Sequence, residues 1–351
     1  MKIVFLGLSI TSSWGNGHAT NYRGLVGALA RHKHEVLFLE RDAPWYAQHR
    51  DFDAPFVRLY ESAVDLRERF ADDLRDADLV IHGSYVPDVG EWLAESVRGV
   101  LAFYDIDTPV TLERLEAGAC EYLRPELIPH YDIYLSFTGG PTLERLERRY
   151  GAQRARPFYC LVDPALYQPL EVEHCWTLGY LGTYDRDRQE TLNRLLLEPA
   201  SLLGQERFVV AGPQYPAEIA WPTNVERIEH VTPGGHASFY ASQRLTLNVT
   251  RREMAAVGWS PSVRLFEAAA CGVPIISDWW PGLNEFFAPC EEILVARTPR
   301  DVLRIVKETP VEVLRDIGLR ARTRVLERDT ADHRAAELEA YVAECGEVQA
   351  A

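Results

Sequence analysis

The feature that most limits how this chain can fold is a repeated alternation of strand and helix patterns. The first half opens on a nearly continuous apolar run, Lys2–Ile10, which is typical of a parallel strand buried on both faces. A helical pattern with apolar residues on one face follows it. Four of the further strand patterns are Glu35–Glu40, Asp78–Ser84, Val100–Asp105 and Ile133–Phe137. Such a series predicts an open parallel sheet with helices packed on it.

A second series of the same kind begins near Trp176. Its strand patterns are TLGYLG, RFVVAG, NVERIE, LTLNVT and VPIISD, and helical patterns follow several of them. Between the two series, the stretch Tyr159–Glu173 contains two prolines and shows no periodicity, which is typical of an interdomain linker. Two helical segments, Val311–Leu326 and Ala331–Val342, end the chain.

The length of the chain supports two domains. It has 351 residues and a hydrophobic fraction of 47%, which is more than one ordinary core requires. We therefore predict an α/β protein with two Rossmann-like, doubly wound domains at residues 1–165 and 170–328, and a helical tail at 329–351. Ligands of open α/β sheets bind at the carboxyl ends of the strands, so we expect the site in a cleft between the domains.

The net charge of −15 disfavours nucleic acids and anionic membranes as partners, although local donors can still bind a small phosphorylated ligand. No apolar stretch approaches the length of a membrane span, and the N-terminal segment has the pattern of a strand instead of a signal peptide. The six cysteines are scattered without zinc-like spacing, which is typical of reduced thiols. We expect a cytoplasmic protein without a bound metal.

The strongest chemical motif is the segment Ser260–Asp278. Ser260 is a good N-cap, Pro261 suits the first helical position, and Gly272 suits the residue just past the helix end. A helix is therefore predicted to begin at Pro261, directly after a loop, and to lead into a strand.

The start of that helix predicts an anion site. Free backbone N–H groups of Ser262, Val263 and Arg264 would point outward there, strengthened by the helix dipole, and the Arg264 side chain can add a charged contact. Glu267 lies one turn further in, where its carboxylate can accept hydrogen bonds from sugar hydroxyls. The alternative is a buried, capped helix with a solvated Glu267.

The sequence RLFEAAACGVPII resembles the glutamate-containing helix and strand of GT-B glycosyltransferases. The wider stretch NVTRREMAAVGWSPSVRLFEAAACGVPIISDWWPGLNEFF is similar to the CgeB-like (spore maturation protein) group of these enzymes. The stretches FYDIDTPVTL, YLSFTGGPTLERL, YLGTYDRDRQ and RDTADHRAAELEAYV fit that group too, so the resemblance spans both predicted domains. It implies that the C-terminal domain binds a nucleotide-sugar donor and that the last helix packs back on the N-terminal domain.

The resemblance assigns Glu267 to the donor ribose and the turn Ser262–Arg264 to the pyrophosphate. It places the loop after the first strand of the donor domain beside the phosphates; the residues concerned are Gly182, Thr183, Arg186 and Arg188. The glycine permits close approach of a phosphate, and the arginines can neutralise leaving-group charge. A solvated charge cluster is the alternative for either arginine.

Other donor-binding predictions come from strand ends. Arg251 follows the strand LTLNVT at its carboxyl end. His230 and Val231 follow NVERIE, where backbone atoms can read a base edge and the histidine can stack on it. A surface role for His230 is the alternative. Gly15 and Gly17 in the loop SSWGNGHATN permit tight turns beside a ligand, but the loop lacks the dinucleotide pattern GxGxxG.

One residue departs from the pattern of retaining GT-B enzymes. Many of them have a second glutamate eight positions before the ribose-binding one, and Trp259 occupies that position here. The departure puts both the identity of the sugar and retention of its stereochemistry in doubt.

Three residues of the first domain are candidates for catalysis. His18 could act as general base towards a sugar hydroxyl, or it could be a structural histidine at a helix start. Asp105 and Asp107 end a buried strand at its carboxyl edge, and N-capping of the next helix is the simpler explanation for Asp107. Their DxD spacing recurs in metal-binding GT-A enzymes, but a GT-B enzyme usually needs no metal.

The sequence therefore predicts a hexosyltransferase that uses a nucleoside diphosphate sugar, with UDP or TDP favoured, and an unidentified acceptor. No cofactor is expected, because the nucleotide sugar is a co-substrate. Two alternatives remain open at this point: an epimerase of nucleotide sugars on the same fold, and a non-catalytic sugar-binding protein.

Overall fold

A computed structural model describes residues 1–349, which form two compact units. Unit 1 comprises Met1–Ser13, His18–Tyr159 and the C-terminal helix that begins at Ala331. Unit 2 comprises Trp14–Gly17 and Cys160–Thr330. Each unit is an α/β structure built on its own parallel sheet.

Unit 1 contains seven strands among the described residues, all parallel, in the order β3-β2-β1-β4-β5-β6-β7. The strands are β1 (Lys2–Gly7), β2 (Glu35–Arg41), β3 (Val57–Tyr60), β4 (Leu79–Gly83), β5 (Val100–Asp105), β6 (Ile133–Ser136) and β7 (Ala155–Pro157). The helices are α1 (His18–Arg31), α2 (Pro44–Ala47), α3 (Ala63–Arg75), α4 (Gly90–Ser96), α5 (Thr108–Glu116), a 3₁₀ helix (Pro125–His130) and α6 (Pro141–Tyr150). The strand order reverses beside β1, which is where doubly wound sheets form ligand sites.

The apolar periodicity after β1 produces α1 as predicted. Tyr22, Leu25, Val26 and Leu29 are all buried on the face of α1 that meets the sheet. The strand that precedes α1 is shorter than the apolar run Lys2–Ile10 predicted, because β1 ends at Gly7.

Unit 2 contains six strands in the described chain, again all parallel, in the order β10-β9-β8-β11-β12-β13. They are β8 (Trp176–Leu181), β9 (Phe208–Ala211), β10 (Val225–Ile228), β11 (Gln243–Asn248), β12 (Ile275–Ser277) and β13 (Leu294–Val295). The helices are α7 (Arg186–Leu192), which continues through a π turn (Asn193–Leu197) into α8 (Glu198–Leu202), then α9 (Pro233–Ala241), α10 (Arg252–Val257), α11 (Val263–Ala270), α12 (Leu283–Phe286), α13 (Pro299–Glu308) and α14 (Val311–Arg328). Buried aliphatic and aromatic side chains from the strands and from α7, α8 and α13 form one core.

The C-terminal helix α15 (Ala331–Gln349) belongs to unit 1 and packs on α1. Arg31 pairs with Asp332 at 3.0 Å, and His32 contacts Glu339 at 2.7 Å. Among the described residues, no helix combines the length and apolarity needed to cross a bilayer. The same residues contain no group of three or more His, Cys, Asp or Glu side chains placed to hold a metal ion.

Candidate functional site

The start of α11 lies two residues later than the sequence predicted. The helix begins at Val263, and Ser262 instead of Ser260 occupies the N-cap position. The cause is the preceding turn, in which Gly258 and Trp259 both have positive φ angles of 78° and 46°. A tryptophan in this region of φ is strained, and the backbone becomes helical only at Val263. The backbone N–H groups of Val263 and Arg264 therefore open the first turn.

Ser262 does not cap the helix through its side chain. Its hydroxyl donates instead to Oδ1 of Asn248 at 2.7 Å, at the carboxyl end of β11. The helix start is thus fixed to the edge of the sheet, and the first-turn N–H groups are left to other acceptors, as suits an anion site.

Glu267 is buried on α11, with 3% of its surface exposed. The Tyr167 hydroxyl donates to its Oε1 at 2.6 Å and the Tyr240 hydroxyl to its Oε2 at 3.1 Å. The alternative of a solvated Glu267 is therefore wrong. A carboxylate has about four acceptor positions, so it can accept ribose hydroxyls in addition to the two tyrosines.

The Arg264 side chain lies beside the loop that follows β8. Its guanidinium is buried, donates to the Leu181 carbonyl and to Asn248 Oδ1 at 3.0 Å, and lies 4.6 Å from the centre of the Tyr180 ring. A side chain at Gly182 would collide with this guanidinium at 2.7 Å. Arg264 therefore supports the loop after β8 from below, and its backbone N–H remains at the helix start.

Two polar residues that the sequence analysis overlooked lie at the same edge. Asn248 ends β11, and Asp278 directly follows β12, where it accepts hydrogen bonds from the backbone and hydroxyl of Thr250. Burial raises the pKa of Asp278 to about 6, opposed by the bonds from Thr250 and the charge of Arg264. The signal for both was present in the sequence, since each is a polar residue that ends an apolar strand.

Two of the arginines predicted to bind the donor contact Asp185, which follows the loop after β8. The Arg188 side chain is half-buried and donates from Nη2 to the Thr183 carbonyl at 3.2 Å; within the described chain its Nε has no hydrogen-bond partner. Arg251 pairs with Asp185 at 3.0 Å, which also lies 3.8 Å from Arg188. Arg186 is exposed at the first position of α7. Arg188 and Arg251 therefore share a contact with Asp185. Arg186, in contrast, is solvated.

The base-binding prediction falls on the loop between β10 and α9. The His230 ring lies 4.9 Å from that of Trp14, tilted by 52°. The Val231 carbonyl faces Nε2 of His236 at 3.1 Å. Gly15, with a φ of 64°, and Gly17 belong to the same unit 2 segment as Trp14.

In unit 1, Asp105 is fully buried at the end of β5. Tyr134 donates to its Oδ2 at 2.6 Å, while Thr111 and the Asp107 N–H donate to its Oδ1 at 2.8 and 3.2 Å. Burial raises the pKa of Asp105 to about 6, against the lowering effect of these bonds. Donors from β6, α5 and the backbone surround the carboxylate, which is the pattern of a structural anchor.

Asp107 occupies the N-cap position of α5, but its side chain makes no capping hydrogen bond, so that simpler explanation is wrong. Its Oδ2 accepts from the Tyr85 hydroxyl at 2.7 Å. Tyr85 has a positive φ of 69°, which is costly for an aromatic residue and is often found at functional sites. His18 begins α1, and its ring lies 5.4 Å from that of Phe137.

Glu40, at the end of β2, was also missed. Its carboxylate accepts bonds from the backbone N–H groups of Ile10 and Thr11 at 2.8 and 2.9 Å, and from the Ser9 hydroxyl at 2.8 Å. This explains why β1 ends early, because the chain turns towards this buried acid. Glu40 therefore fixes the loop after β1.

Residues 188–340 match a family model, Glyco_trans_1_2, described as glycosyl transferase-like. No curated protein matches the chain. Three solved structures are similar in fold. A sucrose-phosphate synthase from Thermosynechococcus elongatus has 15% identity and a TM-score of 0.73, covering 99% of this chain and 100% of its own.

The second structure, an alpha-glucosyltransferase (AGT) in complex with UDP, has 11% identity and a TM-score of 0.76, covering 98% of this chain and 100% of its own. The third, described as trehalose-6-phosphate from E. coli bound with UDP-2-fluoro glucose, has 13% identity and a TM-score of 0.68, covering 97% and 99%. With the two parallel sheets, these likenesses show that the chain has the GT-B fold predicted from its sequence.

Proposed function

We propose that this protein is a glycosyltransferase that moves a hexosyl group from a UDP-sugar or TDP-sugar to an acceptor hydroxyl or amine. The proposal depends most on one observation, which is the buried carboxylate of Glu267 one turn inside α11, a helix whose first N–H groups lie at the carboxyl edge of a parallel sheet. The Glu267 carboxylate, which can accept from ribose hydroxyls, thus lies one helical turn from the first N–H groups of α11, which can donate to phosphate. A nucleoside diphosphate requires both groups.

The other donor contacts follow from this placement. The ribose hydroxyls donate to Glu267, the diphosphate accepts from the N–H groups of Val263 and Arg264, and the base lies against His230 and the backbone of Val231. A uracil base is favoured because two of the solved structures of similar fold contain UDP or a UDP-sugar analogue.

In the proposed reaction, an acceptor oxygen or nitrogen bonds to the anomeric carbon while the bond from that carbon to the diphosphate breaks. Negative charge then develops on the departing phosphate. The dipole of α11 stabilises it, and the guanidinium of Arg188, with Arg251 behind the shared Asp185, adds positive charge. We propose that these groups serve without a metal ion. His18 and Asp107 are the candidate bases for the acceptor proton.

The CgeB-like assignment belongs to the proposal as well. Trp259, whose indole Nε1 donates to Glu285 at 2.7 Å, stands where a retaining enzyme would have a carboxylate.

Titration calorimetry with UDP, TDP, GDP and ADP tests the proposal, together with release of nucleotide from the matching sugar donors. We expect UDP or TDP to bind, and Glu267→Gln to weaken that binding about tenfold to a hundredfold, because a hydrogen bond to a charged acceptor contributes roughly 1.5–3 kcal/mol. Glutamine keeps the shape and one acceptor for the two tyrosines. The matched control is Glu308→Gln, an exposed residue of the same unit, which should change nothing. Absence of binding by all four nucleotides would contradict the proposal.

A further inference from the structure

Asp185 lies between the loop after β8 and the first turn of α7, and its two carboxylate oxygens have different partners. Oδ1 accepts a hydrogen bond from the Asp187 N–H at 2.9 Å and so caps α7. Oδ2 lies 3.0 Å from Nε of Arg251 and 3.8 Å from Nη2 of Arg188. One oxygen therefore stabilises the helix start, whereas the other pairs with the two cations that the proposed reaction uses at the diphosphate.

The loop after β8 also lies against the start of α11. A side chain at Gly182 would meet the guanidinium of Arg264, whose backbone N–H belongs to the first turn of that helix. Arg188 donates from Nη2 to the carbonyl of Thr183, the next residue of the loop, at 3.2 Å. A phosphate bound at the start of α11 would therefore lie near the loop that holds Arg188.

The Arg188 side chain has a donor left for such a phosphate. Its Nε is buried, and among residues 1–349 that atom has no hydrogen-bond partner. Because a buried donor without an acceptor costs free energy, an acceptor that reaches it is favoured. The Asp185 carboxylate and a phosphate are thus two anions that bind the same guanidinium groups.

The charge of this cluster is small for a site that must hold a diphosphate. Arg188 and Arg251 contribute two positive charges and Asp185 one negative charge, so the three side chains together carry one positive charge. The neighbouring pair of Arg252 and Asp187 is neutral. The Asp185 carboxylate therefore cancels half of the positive charge that the two arginines offer to a phosphate.

We propose that Asp185 is a positioning residue that limits the affinity for nucleoside diphosphate, because its carboxylate competes with the diphosphate for Arg188 and Arg251. This inference rests on the proposed donor site. The same competition speeds departure of the nucleoside diphosphate that remains after transfer of the sugar, since differences in affinity at one site appear mainly in the dissociation rate. Asp185 thus favours release of the product over tight binding.

Titration calorimetry of Asp185→Asn tests the proposal in the full-length chain, with whichever of UDP, TDP, GDP and ADP the native chain binds most tightly. Asparagine is a good N-cap, so its Oδ1 can keep the bond to the Asp187 N–H while the charge is lost. The Kd should fall about tenfold, as expected for removal of one negative charge near an anion at a partly exposed site. Glu190→Gln removes a carboxylate of the same helix whose side chain is 89% exposed. This control should change the Kd less than about twofold.

An unchanged or higher Kd in Asp185→Asn would overturn the proposal, because removal of a carboxylate that only aligns the arginines would weaken binding. If Asp185→Asn fails to fold, Asp185→Ser keeps a capping oxygen and should show the same gain, and absence of that gain would also overturn the proposal.

Inorganic pyrophosphate separates an effect on the phosphates from an effect on the base or ribose. It should bind about tenfold more tightly to Asp185→Asn than to the native chain. A gain for the nucleotide alone would overturn the proposal, since the charge would then act away from the phosphates. Failure of the native chain to bind any of the four nucleotides would refute the donor site itself, whereas an equal Kd in the two chains would refute only the role of Asp185.

Discussion

Asp105 in unit 1 and Glu267 in unit 2 are both buried carboxylates near the carboxyl edge of a parallel sheet, and both accept hydrogen bonds from tyrosines. Their other surroundings differ. Asp105 also receives a backbone N–H and a threonine hydroxyl, so local donors anchor it. Glu267 instead has a histidine nearby and lies one turn from an open helix start. Burial of an acid alone therefore does not identify a binding site; the groups beside it do.

The largest effect should come from removing the anchor in unit 1. Asp105→Ala removes the buried acceptor of the Tyr134 hydroxyl and of the Asp107 N–H, whereas the Thr111 hydroxyl keeps its contact with the Tyr122 hydroxyl. We expect a loss of about 4 kcal/mol in the free energy of unfolding, measured in urea, because each such group costs roughly 1–3 kcal/mol. Asp72→Ala, at a side chain 83% exposed, is the control and should cost less than about 0.5 kcal/mol. A small loss for Asp105→Ala would contradict the anchoring role of this carboxylate.

The same residue should affect the pH dependence of stability. The pKa of Asp105 in the folded chain is about 6, above the ordinary value of 3.8, because it is buried. The folded state thus holds the proton more tightly, so this contribution to stability is complete below pH 4 and is lost as pH rises to about 6. The loss amounts to about 3 kcal/mol.

Asp105→Asn cannot titrate, so the stability difference between the variant and the native chain should shift in favour of the variant by up to about 3 kcal/mol between pH 4 and pH 7. Urea unfolding at several pH values measures it. Asp278 has a pKa raised in the same direction, and its contribution cancels in this difference. A difference that does not change with pH would show that Asp105 titrates normally.

In unit 2, the two arginines of α7 should behave differently. Arg188→Ala is expected to lower the rate of nucleotide release from the sugar donor about a hundredfold, because a preorganised positive charge near the leaving group is typically worth about 3 kcal/mol. Arg186→Ala, at the exposed position two residues earlier, should change the rate less than about twofold. Equal effects at the two positions would mean that a general positive charge, and not the placement of Arg188 near Asp185, matters.

The smallest expected effect is at the base. Trp14→Ala removes the ring 4.9 Å from His230 and should weaken UDP binding about threefold, since such aromatic pairs contribute about 0.5–1.5 kcal/mol. Trp45→Ala, at an exposed tryptophan of unit 1, should leave the Kd unchanged. If Trp14→Ala has no effect either, the base lies away from His230.

The sequence predicted the sheets well because continuous apolar strands and one-sided helices are local patterns. It missed details that depend on distant residues. The early end of β1 depends on Glu40, which is 29 to 31 positions along the chain from the loop residues it binds. The late start of α11 depends on the positive φ of Trp259, which no local pattern indicates.

Partners of the site residues were the least predictable part. Glu267 was found from its helix, but Tyr167 lay in a stretch predicted to be a linker, one hundred positions away. The hydrogen bond from the Arg264 guanidinium to the Leu181 carbonyl and its position beside Gly182 could not be predicted either. Side-chain direction at a helix start depends on the neighbouring strand ends, which only the assembled sheet defines.

A crystal structure of the chain with UDP tests the central claim most directly. The proposed donor site predicts ribose hydroxyls within roughly 3 Å of the Glu267 carboxylate and phosphate oxygens at a similar distance from the N–H groups of Val263 and Arg264. UDP bound elsewhere, with Glu267 contacting only the tyrosines and His236, would contradict the account.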